Sequence, residues 1–97
     1  MVEVQLLSET EDQIFVEVSI PRREATFTTK IPKYSHMTTE QIVQRFNSIC
    51  RMRYMRLMSV RSFESFINRN TAKTEKIKEL RDAGEMENHL GVIEKVV

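Results

Sequence analysis

Six arginines, Arg45, Arg51, Arg53, Arg56, Arg61 and Arg69, stand between residues 41 and 70, where Glu64 is the only acid. Every base in that stretch is arginine. Its planar guanidinium grips phosphate or carboxylate through paired N–H donors and tolerates burial at an interface better than lysine. The run RMRYMRLMSVR, residues 51–61, interleaves arginine with Met52, Tyr54, Met55, Leu57 and Met58. Two chemistries fit this pattern. The arginines could hold a nucleic-acid backbone while Tyr54 stacks on a base. They could instead hold an acidic protein partner, with methionines supplying adaptable apolar contact. Arg53, Tyr54 and Arg56 would form the centre of such a site, and Arg51 and Arg61 its rim. The plain alternative is a solvated helix face whose arginines pair within the molecule, for which Glu17 and Glu24 are candidates. By the same plain reading, Met52, Met55 and Met58 fill core space.

Other side chains offer less chemistry. Cys50 is the only cysteine, so no disulfide can form within the chain. It sits among apolar residues, where a thiol is inert rather than nucleophilic. His36 and His89 have no ligand set around them; Glu85 and His89 are four apart, but two groups do not make a metal site. No phosphate loop, dinucleotide fingerprint, nucleophile elbow or His-Glu-x-x-His pattern occurs. Glu75 and Glu79 suit pairing with Lys76 or Lys78 on a helix surface better than acid–base work. The expectation is a chain without metal or cofactor that is not an enzyme.

Charge is segregated along the chain. Residues 1–31 hold six acids (Glu3, Glu9, Glu11, Asp12, Glu17, Glu24) against Arg22, Arg23 and Lys30, a net −3. Residues 41–70 carry +5, and the whole chain +1. The near-neutral total excludes a uniformly basic nucleic-acid coat and an acidic nucleic-acid mimic, yet leaves an anionic partner open at residues 45–69.

The elements that must position these residues are legible in the apolar pattern. Val2, Val4 and Leu6 alternate with polar neighbours; so do Ile14, Val16, Val18 and Ile20, and then Ala25, Phe27, Thr29 and Ile31. Period-two alternation rich in branched and aromatic residues is the strand signal. Short polar links at Ser8–Asp12 and Pro21–Glu24 join the strands as hairpins. Pro32 ends the third, since proline cannot donate to a ladder. A helix is predicted to open at Thr38. Thr38 and Gln41 can form a capping box, Met37 and Ile42 a hydrophobic staple, and Glu40 suits the first turn.

From Thr38 to Ala83, 46 residues pass without glycine or proline. Ile42, Val43, Phe46, Ile49 and Cys50 form an apolar stripe in whose centre Arg53 would fall. Burying that charge is costly, so the spacing predicts a break or bend near Cys50–Arg53. Val60, Phe63, Phe66 and Ile67 restart helical spacing, capped by Ser59 or Ser62. A further charged helix could start at Asn70 or Thr71, run through Leu80 and stop at Gly84. Met86, Leu90, Ile93 and Val97 are spaced as a helix, with a strand at Val92–Val97 as the alternative.

The fold class is therefore α+β: a three-stranded antiparallel β-meander over about 2–31, then two to four helices over about 38–95. Residues 1–97 are expected to form a single domain. The expected core is Val4, Leu6, Val16, Val18, Phe27, Ile42, Phe46, Ile49, Phe63, Ile67 and Leu80. No span approaches the roughly 18 apolar residues of a membrane helix. The opening residues carry no apolar signal run, and with a free thiol a reducing cytoplasm is expected. An exposed strand edge makes a homodimer a further expectation. The functional expectation is a small binding protein that regulates or inhibits a larger macromolecular partner, of the kind frequent in phages and mobile elements. The alternative is a nucleic-acid binder that uses the same arginines on phosphates.

Overall fold

In the computed structural model, which describes residues 1–83, three strands precede two helices. These are β1 (Glu3–Glu9), β2 (Gln13–Ile20), β3 (Ala25–Pro32), α1 (Thr39–Leu57) and α2 (Val60–Asp82). The strands pair antiparallel in the order β1-β2-β3. This is the α+β meander expected from the alternation. The stop at Gly84 and the helix expected over 86–97, or the strand over 92–97, lie outside the described residues.

Ile14, Val16, Val18 and Ile20 are buried on one face of the central strand. That face packs against both helices, α1 beside β1 and α2 beside β3. β1 and β2 are joined by a turn in which the Thr10 amide donates to the Gln13 carbonyl at 2.8 Å. A 3-10 turn at Pro21–Arg23 joins β2 to β3 and ends at Glu24, in the left-handed region at φ 51°. The register of β1 shifts between Leu6 and Ser8. This bulge brings Glu9, and not Ser8, opposite inward-facing Ile14. Glu9 there accepts from the Thr39 hydroxyl at 2.7 Å and pairs with Lys33 at 2.9 Å.

α1 opens as expected. The Thr38 hydroxyl accepts from the Gln41 amide at 3.1 Å, and the Gln41 side chain accepts from the Thr38 amide at 2.9 Å. Half-buried Met37 packs on the core that contains buried Ile42.

The expected break near Cys50–Arg53 is absent: α1 continues to Leu57. Its buried line steps by four through Ile42, Phe46 and Cys50 towards half-buried Tyr54. A four-residue step drifts around the helix, since 3.6 residues make a turn. The drift carries the core contact away from Arg53, which stays exposed with its guanidinium 5.3 Å from the centre of the Phe66 ring. The chain breaks instead at Met58, left-handed at φ 50°, whose amide donates to the Tyr54 carbonyl at 2.8 Å. Ser59 then caps α2 by accepting from the Ser62 amide.

α2 is one helix, and no new helix begins at Asn70 or Thr71. Both lie mid-helix and bond across to β3. Asn70 Nδ2 donates to the Thr29 hydroxyl at 3.0 Å and to the Lys30 carbonyl at 3.1 Å. The Thr29 and Thr71 hydroxyls meet at 2.6 Å, and the Thr71 hydroxyl donates to the Ile67 carbonyl at 3.2 Å. One direction therefore satisfies the chain: Asn70 donates to Thr29, Thr29 to Thr71, and Thr71 to Ile67. Thr74 adds a 2.8 Å bond to the Lys30 carbonyl. β3 is an outer strand, so these side chains close part of its free edge.

Leu6 and Ile49 depart from the expected core, at 45% and 39% exposed. Leu6 sits on the outer strand where the register shifts, at the rim of the helix layer. Ile49 lies beside the buried line Ile42, Phe46, Cys50, at the edge of the face that α1 buries. Val4 and Phe27 pack partly buried at the core margin, and Leu80 is also half-buried. Among the described residues, no helix is long and apolar enough to cross a membrane.

Candidate partner-binding face

The two ends of the helix layer treat charge differently. At the α2 C-terminal end, the Asp12 carboxylate accepts from the Thr10 hydroxyl at 3.0 Å and from Lys78 at 3.2 Å. Arg81 donates to the carbonyls of Asp12 at 3.1 Å and Lys33 at 3.3 Å. Lys78 also pairs with Asp82 at 3.5 Å, Lys30 with Glu75 at 3.2 Å, and Lys76 with Glu79 at 3.8 Å. Glu75 thus reaches across to β3 instead of pairing along its own helix. These contacts hold the Asp12 carboxyl below its ordinary pKa, through the Thr10 hydroxyl first and Lys78 next.

At the other end lie the close of α1, the start of α2 and the 3-10 turn. Among the described residues every ion pair uses lysine, and no arginine there has a described carboxylate within 4.0 Å. Glu17 and Glu24, the candidate partners on the sheet side, pair with none of them.

The five predicted site residues separate into two groups. Three are built into the fold. Arg51 Nε donates to the Val2 carbonyl at 3.0 Å and ties α1 to the start of the sheet. Arg53 lies over Phe66. Tyr54 meets Phe63 edge-on, with centres 5.7 Å apart at 86°, and its hydroxyl accepts from Arg23 Nε at 3.3 Å. Packed in this way, Tyr54 does not present a free ring to a base. Arg56 and Arg61 are exposed on either side of the Met58 corner.

Sequence reasoning missed two contributions. Met52, Met55 and Met58 do not fill the core; they are 66%, 75% and 74% exposed. For Met52 and Met55 the positions relative to Cys50 carried the signal, because both lie away from the line Ile42, Phe46, Cys50 on the helical wheel; Met58 continues that line four residues after Tyr54 and is exposed because the helix ends there. Arg22 and Arg23 were counted with the acidic sheet, yet the 3-10 turn delivers Arg23 to Tyr54. Only long-range pairing brings residues 31 positions apart together, so no local pattern could announce it.

Cys50 is buried, and burial pushes its thiol up to about 12, the condition of a structural thiol. Among the described residues, no group of three or more His, Cys, Asp or Glu side chains is placed to hold a metal ion. A depression of about 510 Å³ beside the start of α1, lined by His36, Met37, Gln41, Gln44, Arg45 and Ser48, is wide open to solvent. Enclosure of the kind small-molecule sites use is lacking there.

No family model matches this chain, and neither does any curated protein or solved structure.

Proposed function

We propose that this chain is a small non-enzymatic binding protein that regulates or inhibits a larger protein partner. It contacts that partner with the outer side of α1 and the corner leading into α2. One observation carries the reading: that surface holds exposed methionines together with arginines that have no carboxylate partner among the described residues. A methionine left in water gains from burial at an interface, and its flexible thioether adapts to the surface it meets. An arginine without an internal partner loses no ion pair when it turns to an external carboxylate. Arg56 and Arg61 are the contact arginines, with Met55 next to Arg56 and Met58 between the two in sequence. Arg51, Arg53 and Tyr54 hold the helix that presents them. A cytoplasmic setting belongs to this reading, on the ground of the free thiol.

Affinity capture from the native host, with nuclease-treated controls and mass spectrometry, tests it. A protein should be recovered with the wild-type chain and lost with Met55→Ala/Arg56→Ala. Unchanged recovery would place the contact elsewhere.

The second reading is nucleic-acid binding. It draws on Arg22 and Arg23, which extend the arginine set from the helices to the 3-10 turn beside Tyr54. A gel-shift titration should then lose affinity steeply with salt, because phosphate neutralisation releases counterions. The absence of a shift at low salt would end that reading.

A further inference from the structure

The geometry points to an acidic amphipathic helix, about three turns long, as the segment that docks along the outer face of α1. This inference rests on the protein-binding reading above and names the chemistry of its partner.

Arg45, Ile49, Met52 and Arg56 follow one another at steps of four, three and four residues. Steps of that kind align side chains in one row along a helix, the spacing by which two helices pack. All four are exposed, with Ile49 at 39% and Met52 at 66%. Met55 widens the apolar centre on one side. The row therefore has an apolar middle and an arginine at each end, about 16 Å apart along the axis. None of these arginines has a carboxylate partner among the described residues.

Charge decides between occupants. A second copy packed antiparallel on this row would set Arg45 against Arg56 of the partner subunit. A parallel copy would set each arginine against itself. Either arrangement brings like charges together at both ends, and α1 supplies one acid, Glu40, in its first turn. An apolar helix without charge would leave the arginines desolvated and unpaired. A helix with apolar residues at the same steps and carboxylates about 11 residues apart satisfies both parts of the row.

The probe is a fluorescein-labelled peptide of about 18 residues, with leucines at heptad a and d positions and glutamates flanking them. Its twin carries lysine in place of glutamate. Anisotropy titration of the full chain should show the glutamate peptide binding at least about tenfold more tightly than the lysine peptide. Met52→Glu/Met55→Glu should weaken it by about tenfold or more, and Arg45→Glu/Arg56→Glu should reverse the preference in favour of the lysine peptide. These side chains are solvent-exposed, so an unchanged urea midpoint will confirm that the variants fold.

Equal binding of the two peptides, or no binding of either, overturns the inference. If a host protein is still captured and lost in Met52→Glu/Met55→Glu, only the helical, acidic nature of the partner falls. If capture fails as well, the protein-binding reading falls with it. A dimer mass abolished by Met52→Glu/Met55→Glu would reassign the row to a second copy. Binding of a DNA duplex abolished by Arg45→Glu/Arg56→Glu would reassign it to nucleic acid. Tighter peptide binding by Leu90→Glu/Ile93→Glu would reassign it to residues 84–97 of the same chain.

Discussion

The guanidinium of Arg53 lies 5.3 Å from the centre of the Phe66 ring and couples the last turns of α1 to α2. A charge that would disrupt a continuous apolar stripe is thereby accommodated at the helix–helix margin, over the negative face of an aromatic ring. Contacts of this type contribute about 0.5–1 kcal/mol when exposed. Arg53→Ala should lower the thermal midpoint by about 4 °C, given how steeply small domains respond. Arg53→Lys should recover part of the loss. An unchanged midpoint in Arg53→Ala would show that the contact carries no stability.

The β3 edge offers a sharper test. Asn70 and Thr74 both donate to the Lys30 carbonyl, at 3.1 and 2.8 Å. Removing one donor leaves the other, so Asn70→Ala or Thr74→Val alone should cost about 1 kcal/mol. Removing both leaves a strand carbonyl unpaired beneath the helix. The double variant should therefore lose more than the sum of the singles, with a coupling of about 0.5 kcal/mol or more in urea unfolding. Strict additivity would mean that water replaces the side chains without penalty.

Acid should weaken the charged end of the molecule before the arginine end. Asp12 is held below its ordinary pKa by the Thr10 hydroxyl and Lys78, and Glu9 by the Thr39 hydroxyl and Lys33. A carboxylate with a lowered folded pKa stabilises the fold above its unfolded value, and that contribution disappears as pH falls through the folded value. The urea midpoint should therefore hold from neutral pH down to about 5 and fall below about 4. Lys78, raised by Asp12 first and Asp82 next, behaves oppositely. Its contribution is present below the ordinary lysine value and is lost as pH rises through the raised one. Asp12→Asn should flatten the acid limb and remove the larger part of the alkaline one. An acid limb as steep in Asp12→Asn as in the wild type would exclude this origin.

Cys50 reports on opening of the core. Its thiol is fully buried and pushed up to about 12, so thiolate is scarce in the folded chain. At about pH 8 the native protein should react with a disulfide reagent only through unfolding, and one full equivalent should react in denaturant. Rapid labelling without denaturant would show that the α1–sheet contact opens locally. The same raised value makes the neutral thiol stabilising below its unfolded pKa, a contribution that is lost at strongly alkaline pH.

The strands and the start of α1 were readable because their causes are local. Alternation in Ile14–Ile20 sets which side chains share a face, and Thr38 with Gln41 satisfies amide donors three residues apart. These are properties of a few consecutive residues, and they hold whatever packs above them. The arginine-rich run was likewise visible as composition.

Which of its side chains face outward was decided only in three dimensions. Whether Met52 fills a core or faces water depends on which side of α1 meets the sheet, and the four-residue drift from Ile42 to Cys50 settles that side. Asn70 and Thr71 resemble helix starts in sequence, because short polar side chains compete for backbone groups wherever they stand. Opposite the outer strand they bond across to β3. Among the described residues the lysines take the carboxylates of Glu9, Asp12, Glu75, Glu79 and Asp82, and no arginine has one within 4.0 Å. Caps and alternation act over a few residues, whereas contacts such as Arg23 with Tyr54, Lys30 with Glu75 and Lys78 with Asp12 join residues that the chain separates by 30 positions or more. The sequence alone therefore determined the strands, the start of α1 and the charge; tertiary packing determined where the helices run on and which of those charges, among the described residues, face outward without a carboxylate partner.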